Sequence, residues 1–175
     1  KLYTDSLNFD RLYNIGYFFE GGKLIDNGSV LTSDWGEYDT KTRMAVFNYD
    51  VRLRNKKFYL TSDTLYYDTS KSLAHVVGPS SITSGNSHIY TEDAYYNTNK
   101  DCSELYGRSV MNDKGKTVVG DSVYYDGKKG TSEAFGNVIF TDSINKSMLT
   151  GDYCWYDENI GYAMATKRAV AIDFS

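Results

Sequence analysis

A nine-residue motif recurs six times along this chain at an almost constant spacing. The copy at 60–68 reads Leu-Thr-Ser-Asp-Thr-Leu-Tyr-Tyr-Asp, with a leading acid, an aromatic residue four positions later and a closing acid. The leading acids follow one another at intervals of 29 residues, and once 31; they are Asp5, Asp34, Asp63, Glu92, Asp121 and Asp152. Such a period indicates one supersecondary unit stacked on copies of itself. Because no break marks a boundary, we predict a single domain over residues 1–175.

The composition and the turn residues predict that each repeat is a β-hairpin. Tyr occurs 17 times and Pro once, and aromatic and β-branched residues favour strands. Short polar runs such as Asn27-Gly28 and Gly85-Asn86 separate the extended segments, and they suit hairpins because they tolerate positive φ. No segment shows a useful 3.6-residue period. We therefore predict an all-β protein.

The returning strand of each repeat carries the clearest inside–outside pattern. Two positions with the same strand parity are apolar in every copy, which places them on one side; they are Phe18, Phe47, Val76, Leu105, Ala134 and Ala165, and Leu24, Leu53, Ile82, Met111, Phe140 and Ala171. A third position is always small: Gly16, Ala45, Ala74, Ser103, Ser132 and Ala163. Small residues in a row leave room either for close sheet packing or for a bound molecule.

Glycine and acid positions indicate where the strands bend. Gly78, Gly107 and Gly136 occupy one level of the three central repeats, which indicates a bend where a long strand crosses from one sheet to another. The leading acid shares parity with the apolar side, and an unpaired buried carboxylate is costly. We therefore expect it at a bend or rim, hydrogen-bonded to backbone N–H groups. The alternate face carries aromatic residues suited to outward cross-strand pairs: Tyr66, Tyr95, Tyr124 and Trp155.

Several function classes find no support in the sequence. A net charge of −4 without a basic face argues against nucleic-acid binding. No 18-residue apolar run or signal peptide is visible, and because the chain begins at Lys1 inside the first repeat, we interpret it as a processed or trimmed fragment. Cys102 and Cys154 are predicted to be free structural thiols, and His75 and His88 to be exposed. We predict no enzyme activity, no metal site and no cofactor.

The repeat resembles the OstA/LptA family of lipopolysaccharide-transport proteins. The resemblance rests on the pattern apolar-Thr-x-Asp-x-apolar-x-Tyr-Asp, followed about ten residues later by Gly-x-Val. The pattern is clearest at Tyr125-Asp126 with Gly136-Asn137-Val138. The resemblance covers essentially the whole chain. The sequence departs from the pattern at a few positions: Asn97 for the closing acid, Gly36 for an apolar residue, and Glu20, Tyr49 and Lys167 for the glycine.

The resemblance implies an open β-jellyroll of about six stacked antiparallel hairpins, with an apolar groove between two sheets. It implies a periplasmic protein that binds the acyl chains of lipid A and carries or bridges lipopolysaccharide toward the outer membrane. Its partners would be lipopolysaccharide or lipid A, and same-fold transport components or further copies of itself, joined head-to-tail. The predicted ligand-binding residues are Phe47, Leu53, Leu65, Val76, Ile82, Leu105, Met111, Val123, Val138 and Phe140.

One alternative stays open from the residues alone. Without the resemblance, the apolar rows favour a closed, dry sandwich core over an open groove. The protein would then be a structural or adaptor β-solenoid that binds protein partners through its open edges or its Tyr-rich face.

Overall fold

The computed structural model describes residues 1–26 and 28–174 and consists of β-strands joined by turns. Asn27, part of the predicted turn Asn27-Gly28, lies outside the described residues. Sixteen strands form one continuous antiparallel sheet: β1 (Leu2–Thr4), β2 (Asn8–Asp10), β3 (Ile15–Phe18), β4 (Gly22–Asp26), β5 (Ser29–Ser33), β6 (Trp35–Asp39), β7 (Met44–Arg54), β8 (Tyr59–Asp68), β9 (Leu73–Ser84), β10 (Ser87–Asn97), β11 (Cys102–Asp113), β12 (Lys116–Asp126), β13 (Thr131–Asp142), β14 (Ser147–Asp157), β15 (Tyr162–Thr166) and β16 (Val170–Asp173).

The long strands β7 to β14 pair in sequence order, each with the strand before and after it. At both ends of this series the sheet divides into two branches. β7 pairs with β6 through one half and with β5 through the other, and β14 pairs in the same way with β15 and β16. The prediction of an open, all-β stack of antiparallel hairpins is confirmed.

Every long strand bends near its middle, so that the sheet folds into two layers. The strand register shifts at this level, for example between Asn48 and Val51 in the β7–β8 pair. Gly78, Gly107 and Gly136 have φ values of 90°, 75° and 72°, which L side chains rarely adopt. The bend predicted from these glycines is therefore present.

The bend also forms where glycine is replaced. Tyr49 and Lys167 adopt φ values of 65° and 57° at the equivalent positions. Left-handed backbone costs a non-glycine residue about 1 kcal/mol or more, so the surrounding hydrogen-bonded strands must impose this conformation. We call the part of the sheet that contains β6 and β15 the first layer, and the part that contains β5 and β16 the second layer.

The bend explains why a leading acid can share parity with the apolar side and still reach water. In β8, the buried residues are Leu60 and Ser62 before the bend and Leu65 and Tyr67 after it. The buried parity therefore switches at Asp63, whose side chain is exposed.

The predicted hydrogen-bond partners of the leading acids were wrong where the structure shows a partner. Asp121 accepts hydrogen bonds from Asn137 Nδ2 at 2.8 Å and Arg108 Nη1 at 3.2 Å. Asp152 accepts from the guanidinium of Arg168. These donors are side chains close to the bend: Arg108 and Asn137 lie on the two strands that flank β12, and Arg168 lies in the segment between β15 and β16.

The closing acid of the motif, rather than the leading acid, accepts hydrogen bonds from backbone N–H groups. Asp39 Oδ1 accepts the N–H of Lys41 at 2.8 Å and that of Thr42 at 3.1 Å. Asn97 makes the same two contacts with Asn99 and Lys100. An amide oxygen suffices because the turn needs only an acceptor, which accounts for the departure at Asn97.

The interior between the layers is filled by alternating large and small side chains. In the row nearest the turns, Tyr67 pairs across the sheet with Ala45 and Ala74, and Tyr96 pairs with Ala74 and Ser103. The room left by the small residues is therefore occupied by tyrosine rings of the protein itself. Gly36 also makes space for neighbouring rings, because a Cβ there would lie 2.6 Å from the Phe18 ring and 2.9 Å from the Phe47 ring.

The outward side of the first layer is rich in aromatic residues. His75 stacks on Tyr95 with ring centroids 4.0 Å apart, and its Nε2 lies 2.8 Å from Asp93 Oδ1. The prediction that His75 is exposed was therefore wrong, because this stacking half-buries the ring; His88 is exposed as predicted. Both cysteines are free thiols, and burial raises the pKa of Cys154 to about 11.

Candidate lipid-binding interior and its polar seam

All ten residues predicted to bind acyl chains belong to one buried hydrophobic cluster. They divide evenly between the layers, with Phe47, Leu65, Val76, Leu105 and Val123 on the first and Leu53, Ile82, Met111, Val138 and Phe140 on the second. The structure thus brings the predicted residues together face to face. All ten side chains are buried, and their contact with acyl chains stays a prediction.

The two rims of the folded sheet meet along a line that we call the seam, opposite the bend. Lys57 Nζ, on the β7–β8 turn, lies 3.1 Å from Asp101 Oδ2, on the β10–β11 turn. Beside this ion pair, the rings of Phe58 and Tyr96 pack edge to face at 4.6 Å. In the described residues, the contacts that join the rims are made by side chains.

The seam continues on either side of this pair. Tyr67 donates its hydroxyl to Asp26 Oδ2 at 3.4 Å, and Lys116 Nζ lies 5.4 Å from the centre of the Tyr156 ring. Each contact joins strand ends or turns that are about three strands apart in the sheet. At about 4.8 Å per strand, the layers are offset by roughly 14 Å.

Burial and neighbouring acids raise the pKa values of the seam tyrosines. The pKa of Tyr125 is raised to about 12, first by burial and then by Glu158. Burial and a 2.8 Å hydrogen bond to Asp101 Oδ1 raise the pKa of Tyr96 still further. Burial, followed by the charge of Asp113, raises the pKa of Glu158 itself. These phenols are therefore neutral donors at physiological pH, and they hold the acids at the rim.

The offset leaves apolar interior positions uncovered at opposite ends of the molecule. Leu7 and Phe9 are more than half exposed at the N-terminal end of the first layer, although the equivalent Leu65 and Tyr67 are buried. At the C-terminal end of the second layer, Ala171 is exposed. The uncovered faces belong to different layers.

An opening into the interior lies near the N-terminal end. It is a cavity of about 240 Å³ between the two layers. Phe18, Leu24 and Phe47 provide apolar walls, while Arg43 and Asp26 lie among the residues at its polar margin. Of the ten predicted residues only Phe47 lines it. The sequence analysis missed the cavity and the seam, because no repeat position identifies residues that meet across two layers.

Comparison with known proteins places these features in a family. The profile of the OstA-like protein family matches residues 1–63 and 88–173. The chain belongs to the OstA-like proteins. The resemblance stated from the motif is thereby confirmed. No curated protein sequence matches this OstA-like chain significantly.

A solved structure shares the fold of this OstA-like protein. LptH of Pseudomonas aeruginosa, described as the LptA-homologous periplasmic component of the lipopolysaccharide transport device, superposes with a TM-score of 0.58. The two are 20% identical over 62% of this chain and 82% of LptH. Within the described residues, no helix has the length and apolar character needed to cross a bilayer.

Proposed function

We propose that this OstA-like protein is a periplasmic lipid-binding module, one repeat domain over residues 1–175, that carries or bridges lipopolysaccharide toward the outer membrane. The acyl chains of lipid A would lie between the two layers, against the ten buried residues predicted from the sequence. Family membership and the likeness to a periplasmic transport component support this proposal.

The observation that carries the proposal is a continuous apolar interior inside a sheet that is not closed into a barrel. The bend side is held by backbone hydrogen bonds, but the opposite side is held by the side chains of the seam. Parting the seam would uncover the interior without breaking the strand ladder. A closed barrel of the same residues could not open in this way.

The energetics favour a ligand with long alkyl chains. Each methylene moved from water to an apolar site contributes about 0.8 kcal/mol, so six methylenes contribute about 5 kcal/mol. The ion pair Lys57–Asp101, in which the lysine is exposed and the aspartate partly buried, contributes on the order of 1 kcal/mol. Part of one acyl chain therefore offsets the loss of several seam contacts. The cavity beside Phe47 is the part of the interior that is already open, and we assign the first contact with an acyl chain to it.

Site-specific photo-crosslinking tests the proposal. A photoreactive residue at Leu105 or Met111 should capture lipopolysaccharide, because both side chains face the interior. The matched controls lie on the outward side of the sheet: Tyr95 on β10, which is the neighbour of β11, and Tyr66 on β8. Equal capture at inward and outward positions would contradict the assignment.

The sheet edges favour an adaptor as the second candidate function. β1, β2, β15 and β16 each pair with a strand on one side only among the described residues, and such edges favour pairing with another chain. A fluorescent fatty-acyl probe separates the candidates. A transport module binds the probe, and lipopolysaccharide displaces the probe by competition. An adaptor does not bind the probe.

A further inference from the structure

The outward side of the first layer is unusual in its charge. Among the described strands its outward positions include Glu37, Asp93, Glu104 and Glu133 but no lysine or arginine. The outward side of the second layer, in contrast, carries Lys23, Arg52 and Arg54. Carboxylates and aromatic rings are thus concentrated on the outward strand positions of one face, a combination that favours cationic partners.

A niche of about 140 Å³ opens on this face where the aromatic row is interrupted. Ser122 pairs across the sheet with Tyr106 on one side and Phe135 on the other. Its small side chain leaves a gap between the two rings. Glu104, Leu105, Val123 and Tyr124 also line the niche, so three aromatic rings and one carboxylate stand around the Ser122 side chain.

The polar groups around the niche are fixed in place. The hydroxyl of Tyr106 donates to Glu104 Oε2 at 2.9 Å. On the neighbouring strands, the hydroxyl of Tyr153 donates to Glu133 Oε2 at 2.9 Å, and the Tyr153 ring packs against Phe135 at 5.3 Å. These contacts hold the carboxylates beside the ring walls, which makes the niche preorganised for a ligand.

We propose that this niche binds the guanidinium or ammonium group of a basic segment on a protein partner. Aromatic rings attract a cation through their negative faces, and Glu104 supplies the opposite charge. A planar guanidinium can also stack on a ring while donating to a carboxylate, which favours arginine over lysine. The rings and the carboxylate of this site lie on the opposite side of the sheet from the lipid interior, although Leu105 and Val123 belong to both linings.

Fluorescence anisotropy with two labelled peptides tests the proposal. One peptide contains two arginines in a Gly-Ser background, and the other contains citrulline, which has the shape of arginine without its charge. The arginine peptide should bind the full chain at least about tenfold more tightly than the citrulline peptide. Ser122→Leu, which fills the niche, and Glu104→Gln should each weaken binding by about tenfold.

Matched variants separate the niche from the face as a whole. Tyr66→Ala, on the same face but outside the niche, should leave peptide binding within about twofold. Ser122→Leu should leave lipopolysaccharide capture at Met111 unchanged, which keeps this test distinct from that of the lipid site. Equal binding of both peptides, or undiminished binding to Ser122→Leu, would overturn the proposal. Binding of maltohexaose in place of the arginine peptide would also overturn it and assign the face to glycans.

Discussion

The ammonium nitrogen of Lys57 lies 3.1 Å from a carboxylate oxygen of Asp101, although 44 residues separate them in the chain. The two turns that carry these residues lie at opposite rims of the sheet and meet only because every strand bends. This ion pair therefore reports directly on whether the interior is closed.

We predict that breaking the seam ion pair speeds lipid entry. Lys57→Met removes the charge from an exposed side chain, so the free energy of unfolding should fall by about 1 kcal/mol or less. Uptake of the fluorescent fatty-acyl probe, followed by stopped flow, should become several-fold faster. Lys71→Met is the matched control, because Lys71 pairs with Asp68 inside one turn and does not cross the seam. Equal acceleration by both variants would exclude gating by the seam.

The bend predicts a stabilising substitution. Tyr49 is 69% exposed and has a φ of 65°, so Tyr49→Gly should raise the free energy of unfolding by about 1 kcal/mol. Gly107→Ala should lower it by a similar amount, since nothing lies within 4 Å of the added Cβ and only the backbone strain remains. Urea denaturation measures both changes. Destabilisation by Tyr49→Gly would show that packing of the Tyr49 ring outweighs the strain.

The closing acids predict how stability responds to low pH. Backbone N–H groups of Thr42 and Lys41 lower the pKa of Asp39 below 3.8, and the N–H of Lys129 lowers that of Asp126. Because the folded pKa is the lower one, the unfolded chain binds more protons. This contribution to stability is therefore complete above the unfolded pKa and is lost as the pH falls through the folded pKa.

Asparagine at both positions should reduce this pH dependence while keeping the fold. Asn97 shows that an amide oxygen accepts the same turn hydrogen bonds. The urea midpoint of Asp39→Asn/Asp126→Asn should therefore change less between about pH 5 and pH 2 than that of the parent. Asp39→Ala, which removes the acceptor, should instead lower the midpoint at every pH. An unchanged pH dependence in the double asparagine variant would assign the acid sensitivity to other groups.

The exposed edges predict head-to-tail association. β16 pairs with β14 on one side, and its Val170 is 54% exposed. Val170→Lys should lower the mass measured by light scattering at a given concentration, because a charge opposes strand pairing at an edge. Val77→Lys is the control, since Val77 is exposed on the face of the first layer rather than at an edge. A parent chain that stays monomeric at all concentrations, with no same-fold partner bound, would contradict this prediction.

The 29-residue period was enough to predict the hairpins, the bend and the two apolar rows. The reason is that these features depend on neighbours in the sheet, and each neighbouring strand lies within one repeat along the chain. Phe47 and Leu53, for example, share parity within one strand, and the strand alternation determines that both face inward. The position of the bend could also be predicted from the sequence, because Gly78, Gly107 and Gly136 occur at the same position of three successive repeats.

The tertiary structure alone determined what lies between the layers. The seam pairs Lys57 with Asp101 because of a roughly 14 Å offset between the two layers, and repeat periodicity contains no information about that offset. The tertiary structure also determined that Asp63 points outward, where the buried face of β8 changes from even-numbered to odd-numbered residues. It placed tyrosine rings in the space beside Ala45 and Ala74. Sequence alternation specifies which face of a strand is apolar, whereas the way two apolar faces meet depends on the bend and twist summed over all sixteen strands.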